Sequence, residues 1–116
     1  MITLYHNPKC SKSRETLAII REAGIEPKII EYLVTPLSAE LIQRLIKESG
    51  ISLSQAMRTD VPAYAEYIEG KTLSEQQIIH LMAEHPTLLN RPFASGEKGT
   101  KFCRPPELVR ELLHNR

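Results

Sequence analysis

Cys10 stands where a short apolar run gives way to a helical pattern, and it is followed by Ser11-Lys12-Ser13. The first backbone N–H groups of a helix are unpaired and carry partial positive charge, so a sulfur placed there has its thiolate stabilised and its pKa lowered. Lys9, Lys12 and Arg14 add cations nearby, and Ser13 offers a hydroxyl. The competing reading is a buried, inert thiol. Cys-x-x-Ser lacks the second sulfur of a dithiol redox pair, so an oxidised Cys10 must be resolved by another molecule, or by Cys103 if the fold brings it close. A phosphatase-type loop would need arginine where Thr16 stands. A metal site is not expected: His6 and Cys10 lack a second matched pair, and His80 and His85 are not at a familiar ligand spacing.

Three arginines, Arg58, Arg91 and Arg104, sit at element boundaries, and two of them precede proline, which holds the local backbone extended. Guanidinium groups stay charged and grip tetrahedral oxyanions through paired hydrogen bonds. Surface arginines making weak ion pairs are the alternative. A site requires that the three converge on Cys10. His6, four residues before the cysteine, could set its electrostatics or proton supply; read alone it is a solvent-facing loop histidine. Cys103, beside the apolar Phe102, reads as structural.

These residues must be positioned by a small set of elements. Ile2-Thr3-Leu4-Tyr5 reads as a buried strand broken by His6-Asn7-Pro8-Lys9. A helix follows from Ser11, with Leu17, Ile20 and Ala23 on one side and Gly24 at its C-terminal end. Lys28 to Leu33 reads as a second strand, parallel to the first in a βαβ unit. The middle is helical. Ser38 starts a helix striped by Leu41, Ile42, Leu45 and Ile46 and ending near Gly50. Ser52 with Gln55 caps a short helix reaching Arg58, and Ser74 with Gln77 caps one carrying Ile78, Leu81 and Met82 up to His85-Pro86. Pro62 to Gly70 reads as a loop with a helical turn. Phe93-Ala94, a glycine-containing turn and Thr100 to Phe102 form a β-hairpin, and Pro105-Pro106-Glu107 opens a last helix with Leu108, Leu112 and Leu113. The expected fold class is α/β: a thioredoxin-like fold, a small mixed sheet flanked by helices, as a single domain over 1–116 with a helical insertion at about 38–85.

Composition bounds the function. The chain has 116 residues, 41% hydrophobic and 25% charged, which suits one globular domain. Fifteen Lys and Arg balance fourteen Asp and Glu, so no basic excess for gripping nucleic acid exists. Apolar runs fall far short of the ~18 residues that span a membrane, and no signal-peptide pattern opens the chain. It reads as soluble and cytoplasmic, with two cysteines too few for a disulfide scaffold. A monomer is the default.

The segment His6-Asn7-Pro8-Lys9-Cys10-Ser11-Lys12-Ser13-Arg14-Glu15-Thr16-Leu17 resembles the His-Asn-Pro-x-Cys-x-x-Ser-Arg-x-Thr-Leu opening of the glutaredoxin-coupled arsenate reductase (ArsC) family. The likeness resumes at Glu31-Tyr32-Leu33, Arg58, His85-Pro86, Leu89-Asn90-Arg91-Pro92 and Cys103-Arg104-Pro105-Pro106-Glu107, and covers Ile2 to Leu113. The resemblance implies Cys10 as nucleophile, Arg58, Arg91 and Arg104 as an oxyanion cradle, His6 and Ser13 as supports of the thiolate, and a cis peptide before Pro92. It further implies arsenate or a related oxyanion as substrate. Glutathione would be the co-substrate, glutaredoxin would clear the mixed disulfide, and no cofactor would be bound. Two other readings use the same fold: a regulator resembling Spx that contacts RNA polymerase, and a thiol carrier resembling monothiol glutaredoxins. The first typically carries Cys-x-x-Cys, where this chain has Ser13. The second would not need the arginines.

Overall fold

The computed structural model describes residues 1–113. Its sheet has four strands in the order β2-β1-β3-β4: β1 (Thr3–His6), β2 (Lys28–Glu31), β3 (Phe93–Gly96) and β4 (Gly99–Phe102). β1 runs parallel to β2, while β1–β3 and β3–β4 are antiparallel. This is the expected mixed sheet. A crossover is needed only for the parallel pair, and α1 (Ser11–Glu22) supplies it. Gly24, at φ +82, makes the left-handed step that turns the chain back toward β2.

Two compact units are present: Met1–Thr35 together with the chain from Arg91 onward, and Pro36–Asn90. The first holds the sheet and α1. Its core joins Ile2, Leu4 and Ala94 from the strand side to Ile19 and Ile20 of α1 and to Val109 and Leu112 near the C-terminal end, with Cys103 sealed among them. Each large apolar side chain so buried stabilises by about 1.5–3 kcal/mol before its entropy is charged. Phe93 and Phe102 face each other across β3–β4 with ring centroids 5.0 Å apart. The final helix begins as a 3-10 turn, Pro106–Val109, and becomes α-helical (α6) over Arg110–Leu113.

The second unit is built from α2 (Ala39–Ser49), α3 (Leu53–Ala56), α4 (Pro62–Tyr67), α5 (Glu75–Glu84) and a 3-10 turn at Pro86–Leu88. Capping boxes form at Ser52–Gln55 and Ser74–Gln77, as the spacing predicts, and Ser38 caps α2. No helix among the described residues is long and apolar enough to cross a membrane.

Four expectations need correction. β1 does not break at His6; that residue is the last of the strand and pairs with Glu31. β2 stops at Glu31 instead of Leu33, because the N–H groups of Val34 and Thr35 both turn back to the Glu31 carbonyl. The short helix capped by Ser52 ends at Ala56, since Met57 leaves to bridge with Leu89 and the Arg58 N–H donates to the Leu88 carbonyl. The buried face of α1 is Ser13, Thr16, Ile19 and Ile20, with Leu17 half-buried and Ala23 exposed. Polar residues can face inward there because their hydroxyls are satisfied, Thr16 by the Lys12 carbonyl and Ser13 as described next.

Candidate active site

Cys10 is the N-cap residue of α1, with extended backbone, and the residue is only 6% exposed. The loop delivering it is closely hydrogen-bonded. The Cys10 N–H donates to the Asn7 carbonyl at 2.9 Å, and the Lys9 N–H donates to Asn7 Oδ1 at 3.0 Å, an Asx turn. The Asn7 N–H donates to Ser13 Oγ at 3.0 Å, and His6 Nδ1 lies 2.7 Å from the same oxygen. Arg14 Nη1 donates to the Pro8 carbonyl at 2.8 Å. Strand end, turn and first helical turn are thus tied together around the sulfur.

Burial is the largest influence on the Cys10 thiol and pushes its pKa up. Four others outweigh it: the Ser13 N–H, the charge of Arg91, a hydrogen bond from the Arg91 side chain, and the Lys12 N–H. The net result lies below the ordinary thiol value. Although the cysteine side chain closes no formal cap hydrogen bond, the unpaired amides of the first turn still favour the anion. Arg91 therefore reaches the sulfur, and Arg104 Nη1 donates to the Arg91 carbonyl at 2.9 Å. The peptide bonds before Pro92 and before Pro105 are both cis.

His6, Cys10, Ser13, Arg91 and Arg104 all belong to the first unit and are linked by these contacts. Arg58 lies in the second unit, where its guanidinium forks onto Asp60 at 2.9 and 3.1 Å. The solvent-facing reading of His6 is overturned: it is 5% exposed. Burial, the leading cause, holds its imidazole below the ordinary value, against the pull of Glu31 and with help from the charges of Arg21 and Arg14. Cys103 is fully buried in the apolar core, and burial pushes its thiol up to about 12. Its S–H donates to the Lys101 carbonyl at 3.6 Å, and the charge of Lys101 only partly offsets the burial. The two cysteines are electrostatic opposites. Among the described residues no group of three or more His, Cys, Asp or Glu is placed to hold a metal.

A thiol poised at a helix start beside an arginine is one stage short of a family assignment, and comparison with known proteins supplies the rest. The sequence profile of the ArsC family matches residues 5–112. The chain belongs to the ArsC family. An arsenate reductase of Rhizobium meliloti (strain 1021) is 43% identical over 113 residues, covering 97% of this chain and 81% of the relative. An arsenate reductase of Escherichia coli is 44% identical, covering 97% and 80%. The solved structure of an arsenate reductase from Vibrio cholerae superposes with a TM-score of 0.88 at 42% identity, covering 95% of each chain. The ArsC assignment fixes the fold as thioredoxin-like with a helical insertion.

Two residues of this ArsC site were not singled out from the sequence. Asn7 was read only as turn chemistry, yet its N–H, carbonyl and side-chain oxygen all hold the loop. Arg14 was read only as a nearby charge, yet it anchors the Pro8 carbonyl. A buried Ser13 at the start of the apolar stripe of α1 was the available signal, since an inward hydroxyl needs partners.

Proposed function

We propose that this ArsC-family chain is an arsenate reductase in which Cys10 is the nucleophile. The Cys10 thiolate attacks the arsenic of arsenate; an As–O bond breaks, hydroxide leaves and takes a proton from solvent, and a thiol–arsenate adduct forms. Glutathione thiolate then attacks the Cys10 sulfur. The S–As electron pair passes to arsenic, which falls from the pentavalent to the trivalent state and leaves as arsenite, while Cys10 becomes a mixed disulfide with glutathione. A glutaredoxin thiolate attacks the glutathione sulfur and returns Cys10 to the thiolate.

The observation that carries this reading is the pairing of a lowered Cys10 thiol with the Arg91 guanidinium at the same sulfur. One group makes the nucleophile and the other neutralises the anion that must approach it. Arg104, bonded to the Arg91 carbonyl, serves as the second oxyanion ligand. Arg58 enters as the third on the strength of the family resemblance alone. His6 and Ser13 act through the loop and the helix start. Because Cys103 is sealed in hydrocarbon with a raised pKa, the resolving thiol has to come from outside the chain, which supports a glutathione and glutaredoxin cycle.

A coupled assay with arsenate, glutathione and glutaredoxin tests the reading. Arsenite should form with the wild-type chain and not with Cys10→Ser. Retained turnover in Cys10→Ser would overturn the nucleophile assignment, and an arsenate KM unchanged in Arg58→Ala would remove Arg58 from the anion set.

A further inference from the structure

A groove of about 220 Å³ lies against the Cys10 loop, walled by His6, Pro8, Lys9, Glu31, Leu33 and Val34. Its lining has two unusual properties. Leu33 and Val34, at 40% and 77% exposure, are two of the three large hydrophobic residues that the described chain leaves open to solvent. They are displayed by the tight turn that closes on the Glu31 carbonyl, so their exposure is built into the backbone. The apolar wall also carries one cation, Lys9, immediately before the nucleophile in sequence, and one anion, Glu31, at the end of β2.

We propose that this groove is the subsite for the γ-glutamyl end of glutathione. The inference rests on glutathione as the reductant of Cys10. Glutathione has two unlike ends about its thiol. The γ-glutamyl end carries an α-carboxylate and an α-ammonium joined through two methylenes; the glycyl end carries a carboxylate alone. A groove offering Lys9, Glu31 and an aliphatic wall matches all three features of the first end, with Lys9 on the carboxylate, Glu31 on the ammonium, and Leu33 and Val34 on the methylenes. The glycyl end would leave Glu31 facing a like charge. Cys10 does not itself line the groove, so the cysteinyl thiol of a ligand anchored there must extend past Lys9, one residue before the nucleophile, to reach it.

The test needs no arsenate. Reduced Cys10 attacks glutathione disulfide: one Cys10–S–S–glutathione bond forms, the original S–S bond breaks, Cys10 is oxidised to the mixed disulfide and one glutathione leaves reduced as thiolate. Rates are compared with those for hydroxyethyl disulfide, which has neither charged end, and for the disulfides of γ-glutamylcysteine and cysteinylglycine. The wild-type chain should prefer glutathione and γ-glutamylcysteine disulfides over the cysteinylglycine one. Glu31→Gln and Val34→Asp should each lower the glutathione disulfide rate by about fivefold, the worth of one contact in an open groove, and leave the hydroxyethyl disulfide rate within about twofold. A preference for cysteinylglycine disulfide would overturn the proposal. So would variants that leave the ratio unchanged, as would be seen if an apolar protein surface were the groove's occupant, or that slow every disulfide equally. If the ratio falls as expected while arsenate is not reduced, the subsite stands and only the arsenate reading fails.

Discussion

Ser13→Ala is the sharpest perturbation of this site, because it removes one oxygen and spares the backbone amide that favours the Cys10 thiolate. Ser13 is fully buried, and its Oγ holds both His6 Nδ1 at 2.7 Å and the Asn7 N–H at 3.0 Å. Truncation leaves two buried polar groups without that partner. An orphaned buried donor or acceptor costs about 1–3 kcal/mol, and a methyl-sized void adds little, so a loss of roughly 2–4 kcal/mol is expected. In a domain of this size that lowers the melting temperature by roughly 6–15 °C. Asn7 also receives the amides of Lys9 and Cys10, so its release loosens the loop that aims the sulfur, and turnover should fall even at temperatures where the variant is folded. Thermal melts and urea titrations measure the first effect, and iodoacetamide labelling of Cys10 measures the second. Pairing the change with His6→Phe removes both polar partners of one bond at once. The double variant should then be at least about 0.5 kcal/mol more stable than the sum of the single losses. A Ser13→Ala chain within about 0.5 kcal/mol of wild type, or strict additivity in the cycle, would refute the claim that this oxygen ties strand to helix.

Three other outcomes follow from the geometry. Native alkylation should modify Cys10 and leave Cys103 untouched until the chain unfolds, and Cys103→Ala should keep turnover while costing about 1 kcal/mol of stability; peptide mass mapping with and without urea checks it. Arg91→Lys and Arg104→Lys should each weaken arsenate handling by roughly 1–3 kcal/mol in kcat/KM, since a point charge lacks the fork; Arg91→Lys should also raise the pH at which Cys10 becomes reactive, because it loses a hydrogen bond to the sulfur. His6 is held below its ordinary value of 6.5 chiefly by burial, so on acidification the unfolded chain binds the proton first. Its contribution to stability is complete above 6.5 and is lost as pH falls through that value toward the folded-state pKa; denaturant midpoints against pH should show this acid limb in wild type and a flatter one in His6→Phe.

The reach of sequence reasoning differed from element to element for physical reasons. Local signals carried the helices: serine caps with a glutamine three residues on, the Leu-Ile stripe of α2, and the glycine step after α1 are chemistry within one or two turns. The hairpin was legible for the same reason. The end of β2 was not, since Tyr32 and Leu33 are good strand residues and only the turn onto the Glu31 carbonyl removes them. Pro62 to Gly70 reads from sequence as a loop with a helical turn where the chain forms the six-residue α4, because those six residues bury no side chain fully and so write no stripe. In the site, Cys10 was readable from its place at a strand–helix junction. The inward His6 was not, because a turn-forming Asn-Pro beside it argues for solvent and the compensating oxygen of Ser13 is seven residues away.

What separates Cys10 from Cys103 is therefore not exposure alone, although Cys103 lies the deeper of the two. Both side chains are buried, and burial alone would raise either thiol. Cys103 sits in the apolar cluster with its sulfur against the Lys101 carbonyl, and the charge of Lys101, the one influence favouring its anion, is far outweighed by burial. Cys10 meets the amides that a helix leaves unpaired at its start, together with a guanidinium brought by the segment before β3, 81 residues further along the chain. The helix start is written in the local sequence; the guanidinium arrives through the β1–β3 pairing, which places Tyr5 opposite Phe93 and so sets Arg91 beside the loop that follows β1. A slip of that antiparallel register would leave Cys10 at its helix end with the amides alone, and burial, already the largest influence on its thiol, would face less opposition. The strand register is thus part of the proposed chemistry, since it brings the guanidinium that helps hold this buried sulfur below the ordinary thiol value.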